Sequence, residues 1–129
     1  AATYDIYGTL FEGTNAILTN SYFAGASNSG AASDLATWYA NNKKTQDLFT
    51  STGADAAKMI VMALTRNPSQ NVDTMIKNLE GKSWVGVKGL MTVDANSHLL
   101  IQPMFLVSLN KTSAGYVPTL LKTIASVGK

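Results

Sequence analysis

Cysteine is absent from this sequence, and histidine occurs once, at His98. The chain therefore has neither disulfides nor thiolate chemistry, which fits a reducing and an oxidising compartment equally. His98 lies beside a turn without a second histidine or a cysteine to complete a metal site, and we interpret it as a surface residue at a strand end. Carboxylate pairs, nucleophile elbows, phosphate-binding loops and zinc spacings are also lacking. We predict no metal, no cofactor and no enzymatic activity.

Charge is scarce as well. Charged residues make up 14% of the 129 residues, against about 25% in typical soluble domains. The formal net charge is +2, and the basic residues form no cluster beyond Lys43-Lys44, so we predict no nucleic-acid partner. No apolar run reaches the roughly 20 residues of a membrane span. Together with 46% hydrophobic residues, the low charge indicates either extensive burial or an exposed surface that a partner would normally cover.

The stretch around which we expect the chain to be organised is residues 49–67, FTSTGADAAKMIVMALTRN. Its apolar side chains recur at helical spacing and continue round the side, which predicts a helix packed in an interior. We expect Ser51 or Thr52 to cap the start and Asn67-Pro68 to end the helix. Asp55 falls in the first turn, where the helix dipole favours a carboxylate.

Periodicity predicts the other elements. Helical spacing indicates helices at residues 5–12, 31–41, 72–79 and 115–127, and strands are expected at 15–23, 83–87, 90–93 and 99–109. Asn71 is placed to cap the third of these helices, and Asp94 to form a turn before the last strand. Pro103 is expected at a bulge or an unpaired edge, and Pro118 in the first turn of the last helix. This mixture predicts a single α/β domain.

Several segments in this order resemble a known family. Residues 53–64 (GADAAKMIVMAL) are followed by an amphipathic helix that closes at 79–81 (LEG) and then by residues 87–109 (VKGLMTVDANSHLLIQPMFLVSL). The series is similar to the C-terminal third of type I periplasmic binding proteins, the solute receptors of ABC transporters for branched-chain amino acids and related solutes. Residues 89–94 (GLMTVD) match a pattern of that family that runs from a glycine to a Phe-Asp pair, except that Val93 stands where an aromatic residue is common.

The resemblance implies a partial type I periplasmic-binding-protein fold, with helices packed on a small sheet that has a C-terminal hairpin. It divides the chain into a second-lobe strand region at 1–23, a hinge at 24–30, first-lobe helices and a hairpin at 31–109, and a C-terminal helix at 110–129. Family members are more than twice as long and hold solute between two lobes. We therefore expect the C-terminal portion of such a receptor, and a start at Ala1 instead of methionine fits that expectation.

The same resemblance implies the function. The parent would be an extracytoplasmic receptor of an ABC importer, periplasmic or a cell-surface lipoprotein, that binds a small solute of the amino-acid class and delivers it to a permease. The expected ligand-binding residues are Phe49, Ser51, Thr52, Gly53 and Tyr22. Phe49 equally fits a role in packing the helix start into the core. A sensor domain of a signalling receptor with the same fold, or a small non-enzymatic interaction domain, remains an alternative.

Self-association of the isolated chain is a further expectation. The apolar helix at 49–67 and the strand at 99–109 offer more apolar surface than the rest of the chain can cover, and such surface is usually buried by a partner. We therefore predict a homodimer, in which strand 15–23 could also be exchanged about the small-residue segment 24–30.

Overall fold

The computed structural model describes residues 2–46, 49–65 and 71–128. In chain order the elements are α1 (Ala2–Leu10), β1 (Leu18–Asn20), α2 (Gly30–Asn41), α3 (Thr50–Thr65), α4 (Val72–Leu79), β2 (Ser83–Gly86), β3 (Gly89–Val93), β4 (Leu100–Thr112) and β5 (Gly115–Val127). The strands form one five-stranded antiparallel sheet in the order β1-β4-β3-β2, and β5 also pairs with β4. This combination of helices and sheet confirms the predicted α/β class.

Side-chain caps begin two of the helices. Ser29 accepts a hydrogen bond from the Ala32 N–H at 3.1 Å and starts α2. Asn71 accepts from the Thr74 N–H at 3.1 Å, which confirms its predicted role at the start of α4. Gly81 follows α4 with a φ of +68°, a conformation that glycine adopts without strain. The predicted end of α3 at Asn67-Pro68 lies outside the described residues.

Helix α3 differs from its prediction at both its start and its outer face. It begins at Thr50, so Ser51 and Thr52 lie inside the first turn and do not cap it. The prediction of a fully interior helix is also wrong, because Ile60 is 55% exposed and Val61 is 58% exposed. One face of α3 packs on the sheet and on α4, and the described part of the chain supplies no layer to cover the opposite face.

Strand β1 is shorter than predicted. Only Leu18–Asn20 of the expected strand at 15–23 pairs with β4. The Asn20 side chain accepts the Tyr22 N–H at 3.1 Å, so this N–H bonds to a neighbouring side chain and not to another strand. Such local bonds from Asn compete with sheet pairing and explain the early end of β1. The hinge assignment of residues 24–30 stays a prediction.

The predicted C-terminal helix is wrong, because Gly115–Val127 forms strand β5. It pairs with β4 from Thr112 opposite Gly115 to Gln102 opposite Val127. Its apolar residues happen to fall at helical spacing, but it is also rich in β-branched residues, which suit a strand. Pairing along the full length of β4 overrides the weak helical signal, and Pro118 lies opposite Leu109 in the sheet instead of in a helix turn.

Strand β4 forms the middle of the sheet. The pairing register with β5 shifts between Gln102 and Met104, which confirms the bulge expected at Pro103. Alternate residues Pro103, Phe105 and Val107 are buried, whereas their neighbours are partly exposed. The strand is therefore buried on one face.

The apolar interior consists of two clusters. In the larger, Phe23 and Phe105 meet edge to face with ring centroids 6.1 Å apart, beside Tyr4, Tyr22, Ala26, Ala32, Val87 and Val107. In the smaller, Trp84, Met91 and Val93 pack against partly buried side chains of α3 and α4. The β2–β3 hairpin contributes to both clusters, so its position determines how the helices sit on the sheet.

Two glycines in helices give a matched stability test. A methyl group at Gly8 would overlap ring carbons of Tyr116, whereas one at Gly53 meets no described atom within 4 Å. We expect Gly8→Ala to lower the free energy of unfolding by about 1–3 kcal/mol through overpacking. Gly53→Ala should raise it by roughly 0.5–1 kcal/mol, because alanine is the better helix former. Urea unfolding measures both, and equal stabilities of the two variants would contradict the packing of α1 on β5.

Candidate functional site

The start of α3 carries four of the five residues expected to bind ligand. Phe49 directly precedes the helix and its side chain is 67% exposed. The Phe49 carbonyl accepts the Thr52 N–H at 3.0 Å, which closes the first turn. Thr52 and Gly53 are also exposed. Three of the predicted residues therefore lie together on the surface, where a helix start offers partial positive charge.

The other two predicted residues lie beneath this surface. Ser51 is 0% exposed and Tyr22 is 1% exposed. The Tyr22 hydroxyl donates to Gln46 Oε1 at 2.8 Å, which connects the segment after β1 to the loop before α3. Burial, with a smaller contribution from the charge of Asp55, raises the pKa of Tyr22. In this structure Ser51 and Tyr22 support the helix start from behind and do not line its exposed face.

Asp55 has a role that its position in the first turns of a helix does not reveal. Its side chain is 4% exposed, and Oδ1 accepts the Val87 N–H at 2.8 Å. On the neighbouring helix, Ser29 caps α2 and also donates its hydroxyl to the Gly86 carbonyl at 2.7 Å. The turn between β2 and β3 is thus bonded to α2 and α3 at once, and this fixes the start of α3 relative to the sheet.

Gly86 makes that arrangement possible. A Cβ atom at residue 86 would overlap the Asp55 carboxylate and the Met91 side chain. The carboxylate therefore reaches Val87 only because Gly86 has no side chain. Sequence reasoning could not find this contact, since Asp55 and Val87 are 32 residues apart.

A second buried charge lies next to Asp55. Lys88 is 6% exposed, and its Nζ donates to Gln102 Oε1 at 3.1 Å. Burial raises the pKa of Asp55, opposed by the Val87 N–H and by the charge of Lys88. Burial lowers the pKa of Lys88, opposed by the charge of Asp55. Asp55 Oδ2 and Ser51 Oγ have no hydrogen-bond partner among the described residues, so this polar interior is incompletely satisfied.

An open groove of about 430 Å³ runs between α2 and α3 beside this interior. It is lined by the side chains of Asp34, Trp38 and Lys58 and by apolar residues of α2 and β2. Trp38 is 50% exposed there.

The remaining polar candidates have structural roles. His98 is exposed with Nε2 3.1 Å from Glu80 Oε1, which confirms its interpretation as a surface residue. Asp94 Oδ1 accepts from the N–H groups of Asn96 and Ser97 at 3.0 and 2.7 Å, as expected of a turn former. These bonds lower the pKa of Asp94. In residues 2–46, 49–65 and 71–128 no cluster of His, Asp or Glu suits a metal ion, and no helix is long and apolar enough to cross a membrane.

Solved structures similar to this chain include solute-binding proteins of ABC transporters. An ABC-type branched-chain amino acid transporter protein from Rhodopseudomonas palustris matches 84% of this chain and 30% of its own, at a TM-score of 0.76 and 20% identity. A leucine-binding protein from Thermotoga maritima matches 96% of this chain and 34% of its own, at a TM-score of 0.72 and 19% identity. The chain has part of the type I periplasmic-binding-protein fold.

A third receptor of this fold was solved with an aromatic acid. The solute-binding protein of an ABC transporter from Rhodopseudomonas palustris, in complex with 3,4-dihydroxybenzoic acid, matches 92% of this chain and 34% of its own, at a TM-score of 0.74 and 15% identity. This chain therefore spans about a third of the length of these receptors. Neither family models nor curated proteins give a match.

Asp55 gives the prediction that tests the geometry of the helix start. Asp55→Ala leaves the buried Val87 N–H without an acceptor and is expected to lower the free energy of unfolding by about 1–3 kcal/mol. Asp55→Asn keeps an oxygen acceptor and removes the charge, so it should be tolerated. Chemical denaturation of both variants at neutral pH makes the comparison, and equal losses would contradict the bond to Val87.

The pH dependence of Asp55→Asn tests the buried charge. Because burial raises the folded-state pKa of Asp55 above the ordinary 3.8, the folded protein holds a proton that the unfolded chain has already released. The contribution of Asp55 to stability is therefore most favourable below 3.8 and falls as the pH rises through the raised value. Relative to wild type, Asp55→Asn should gain stability over this window. If the free energies of unfolding of the two proteins changed in parallel with pH, the raised pKa of Asp55 would be contradicted.

Proposed function

We propose that this chain is part of the solute-binding receptor of an ABC importer and that the start of α3 forms one wall of its solute site. The observation that carries the proposal is the agreement of fold with several ABC solute-binding proteins over 84–96% of this chain. Such a receptor acts outside the cytoplasm and passes its solute to a permease. The proposed role is binding, not catalysis.

The chemistry of the helix start supports a small solute with a carboxylate. The helix dipole favours an anion at this position. Phe49, 67% exposed, supplies an apolar surface beside them. Leucine and 3,4-dihydroxybenzoic acid, named for two of the neighbours, both combine a carboxylate with an apolar body. We therefore propose the amino-acid class first and aromatic acids second.

Because the chain supplies one wall, its affinity for solute should be low. Ligand sites usually enclose about 70–90% of a ligand's surface, and a single wall cannot do so. Calorimetric titration of the chain with leucine and with 3,4-dihydroxybenzoate is expected to show no micromolar binding. Saturable micromolar binding would contradict the one-wall account.

Weak binding can still be located residue by residue. In amide NMR spectra, millimolar leucine or 3,4-dihydroxybenzoate should shift the signals of residues 49–53 more than those of the rest of the chain. Phe49→Ala should abolish these shifts, because the apolar surface is lost. Trp38→Ala removes another exposed aromatic side chain, on α2, and serves as the matched control that leaves them intact. Shifts that cluster elsewhere, or that survive Phe49→Ala, would overturn the assignment of the site.

A further inference from the structure

The groove between α2 and α3 contains a hydrogen-bond acceptor that the described part of the chain does not satisfy. Asp55 is 4% exposed and is one of the residues that line this groove. Its Oδ1 accepts the Val87 N–H at 2.8 Å, but its Oδ2 is buried and has no hydrogen-bond partner among the described residues. A buried acceptor without a donor is costly, and such groups are few in native proteins. A donor that enters from the groove would remove this cost.

Asp34 adds a second carboxylate to the same groove. It lies on α2, across the groove from Asp55, and is exposed. Neither Asp34 nor Asp55 forms an ion pair with another described residue. Two unpaired carboxylates, one at the surface and one beneath it, attract a group that is both positively charged and rich in N–H donors. An ammonium group has both properties.

Apolar side chains complete the groove. Trp38 is 50% exposed and follows Asp34 by four residues, so the two side chains share one face of α2. Leu35 lines the same wall, and the small residues Ala31 and Ala54 leave room between the helices. The groove volume of about 430 Å³ lies within the roughly 300–1,000 Å³ of small-molecule sites. Its lining therefore combines an apolar surface with two carboxylates.

We propose that the α2–α3 groove binds a primary amine with an aromatic or other apolar body. The ammonium group donates to Asp55 Oδ2 and is attracted by the carboxylate of Asp34, while the body packs on Trp38. Hydrogen bonds between charged groups are stronger than neutral ones, and an indole ring also attracts cations.

This amine site is separate from the solute site proposed at the start of α3. The described residues that line the groove do not include residues 49–53. The two sites also favour opposite charges. Asp34 and Asp55 repel the carboxylate of a solute such as leucine, whereas the helix dipole at the start of α3 favours it.

Three lysines lie near Asp55 or Trp38, and two of them already have partners. The Lys88 Nζ donates to Gln102 Oε1 at 3.1 Å, and the Lys44 Nζ lies 5.5 Å from the centroid of the Trp38 ring. Of the three, only Lys58 lines the groove, and it is exposed. A long, exposed lysine side chain keeps its ammonium group in water. Lys58 therefore weakens the attraction for an amine without closing the groove.

A smaller pocket between α1 and the β4–β5 hairpin is a weaker candidate. Its volume is about 180 Å³, and its lining includes Glu12 and Lys111. These two side chains form an ion pair with each other. The charges of this pocket are therefore already satisfied, in contrast to Asp34 and Asp55 in the α2–α3 groove.

Titration of the whole chain with 2-phenylethylamine tests the site. In amide NMR spectra we expect saturable shifts at residues 31–38, 54–58 and 85–87, with a Kd on the order of 1 mM because the groove is open on one side. Two probes with the same aromatic body separate the contributions. 2-Phenylethanol lacks the ammonium charge, and the N,N,N-trimethyl derivative keeps the charge but has no N–H to donate. Both should bind about fivefold more weakly or worse.

Substitution of single charges should move the affinity in opposite directions. Asp55→Asn places an NH₂ group where Oδ2 lies, which cannot accept from the ammonium group, so the Kd should rise about tenfold. Asp34→Asn should raise it about threefold, since this carboxylate is exposed to water. Lys58→Gln removes a repelling charge and should lower the Kd by about twofold at most. The matched control is Asp73→Asn, which removes an exposed carboxylate on α4 outside the groove and should bind like wild type.

Circular dichroism and urea unfolding report whether Asp55→Asn remains folded, and Asp34→Asn supplies a second test that leaves the interior unchanged. Equal Kd values for wild type and both variants would overturn the proposal. Equal binding of the three probes, or a higher Kd for Lys58→Gln, would also contradict it. The same holds if the shifts cluster at residues 72–79 of α4, or if no saturable shift occurs in the millimolar range.

Discussion

The hydrogen bond from the Val87 N–H to the buried Asp55 carboxylate is the interaction on which the described structure depends most. It joins α3 to the turn between β2 and β3, and Ser29 joins α2 to the same turn through the Gly86 carbonyl. Because a buried N–H without an acceptor is costly, this turn cannot move without both helices. The start of α3, with Phe49 exposed beside it, is held in place by these contacts behind it.

The distribution of exposed apolar residues follows from the part of the fold that this chain represents. Helices α3 and α4 bury one side against the β2–β3 hairpin and leave large apolar side chains exposed on the other. A chain that spans about a third of the length of similar receptors lacks the area to cover both sides of its helices. Such surfaces favour contact with another polypeptide.

Several sequence signals of short range were read correctly, although the cap expected at Ser51 or Thr52 was not. Asn71 caps α4, Asp94 forms its turn and Pro103 lies at a bulge, since each depends on a few neighbouring residues. Contacts between distant segments were not predictable. Residues 115–127 have helical spacing but pair with β4, and the role of Asp55 depends on Val87, 32 residues away. The order of segments, which resembles a whole family, identified the fold where single motifs were too weak.

The same division applies to the candidate site. The sequence placed Phe49, Thr52 and Gly53 at a helix start, because helix boundaries are local, but it did not predict that they are exposed. Burial of Ser51 and Tyr22 could not be read from it, since burial depends on how α3 and the segment after β1 meet the sheet.

Hydrogen exchange of the Val87 amide tests the central contact most directly. If Asp55 binds this N–H in a turn held by two helices, the amide opens only when the whole domain unfolds. Its free energy of exchange should then equal the free energy of unfolding measured with denaturant. Exchange of the Val87 amide as fast as that of the exposed turn residue Ala95 would contradict the account.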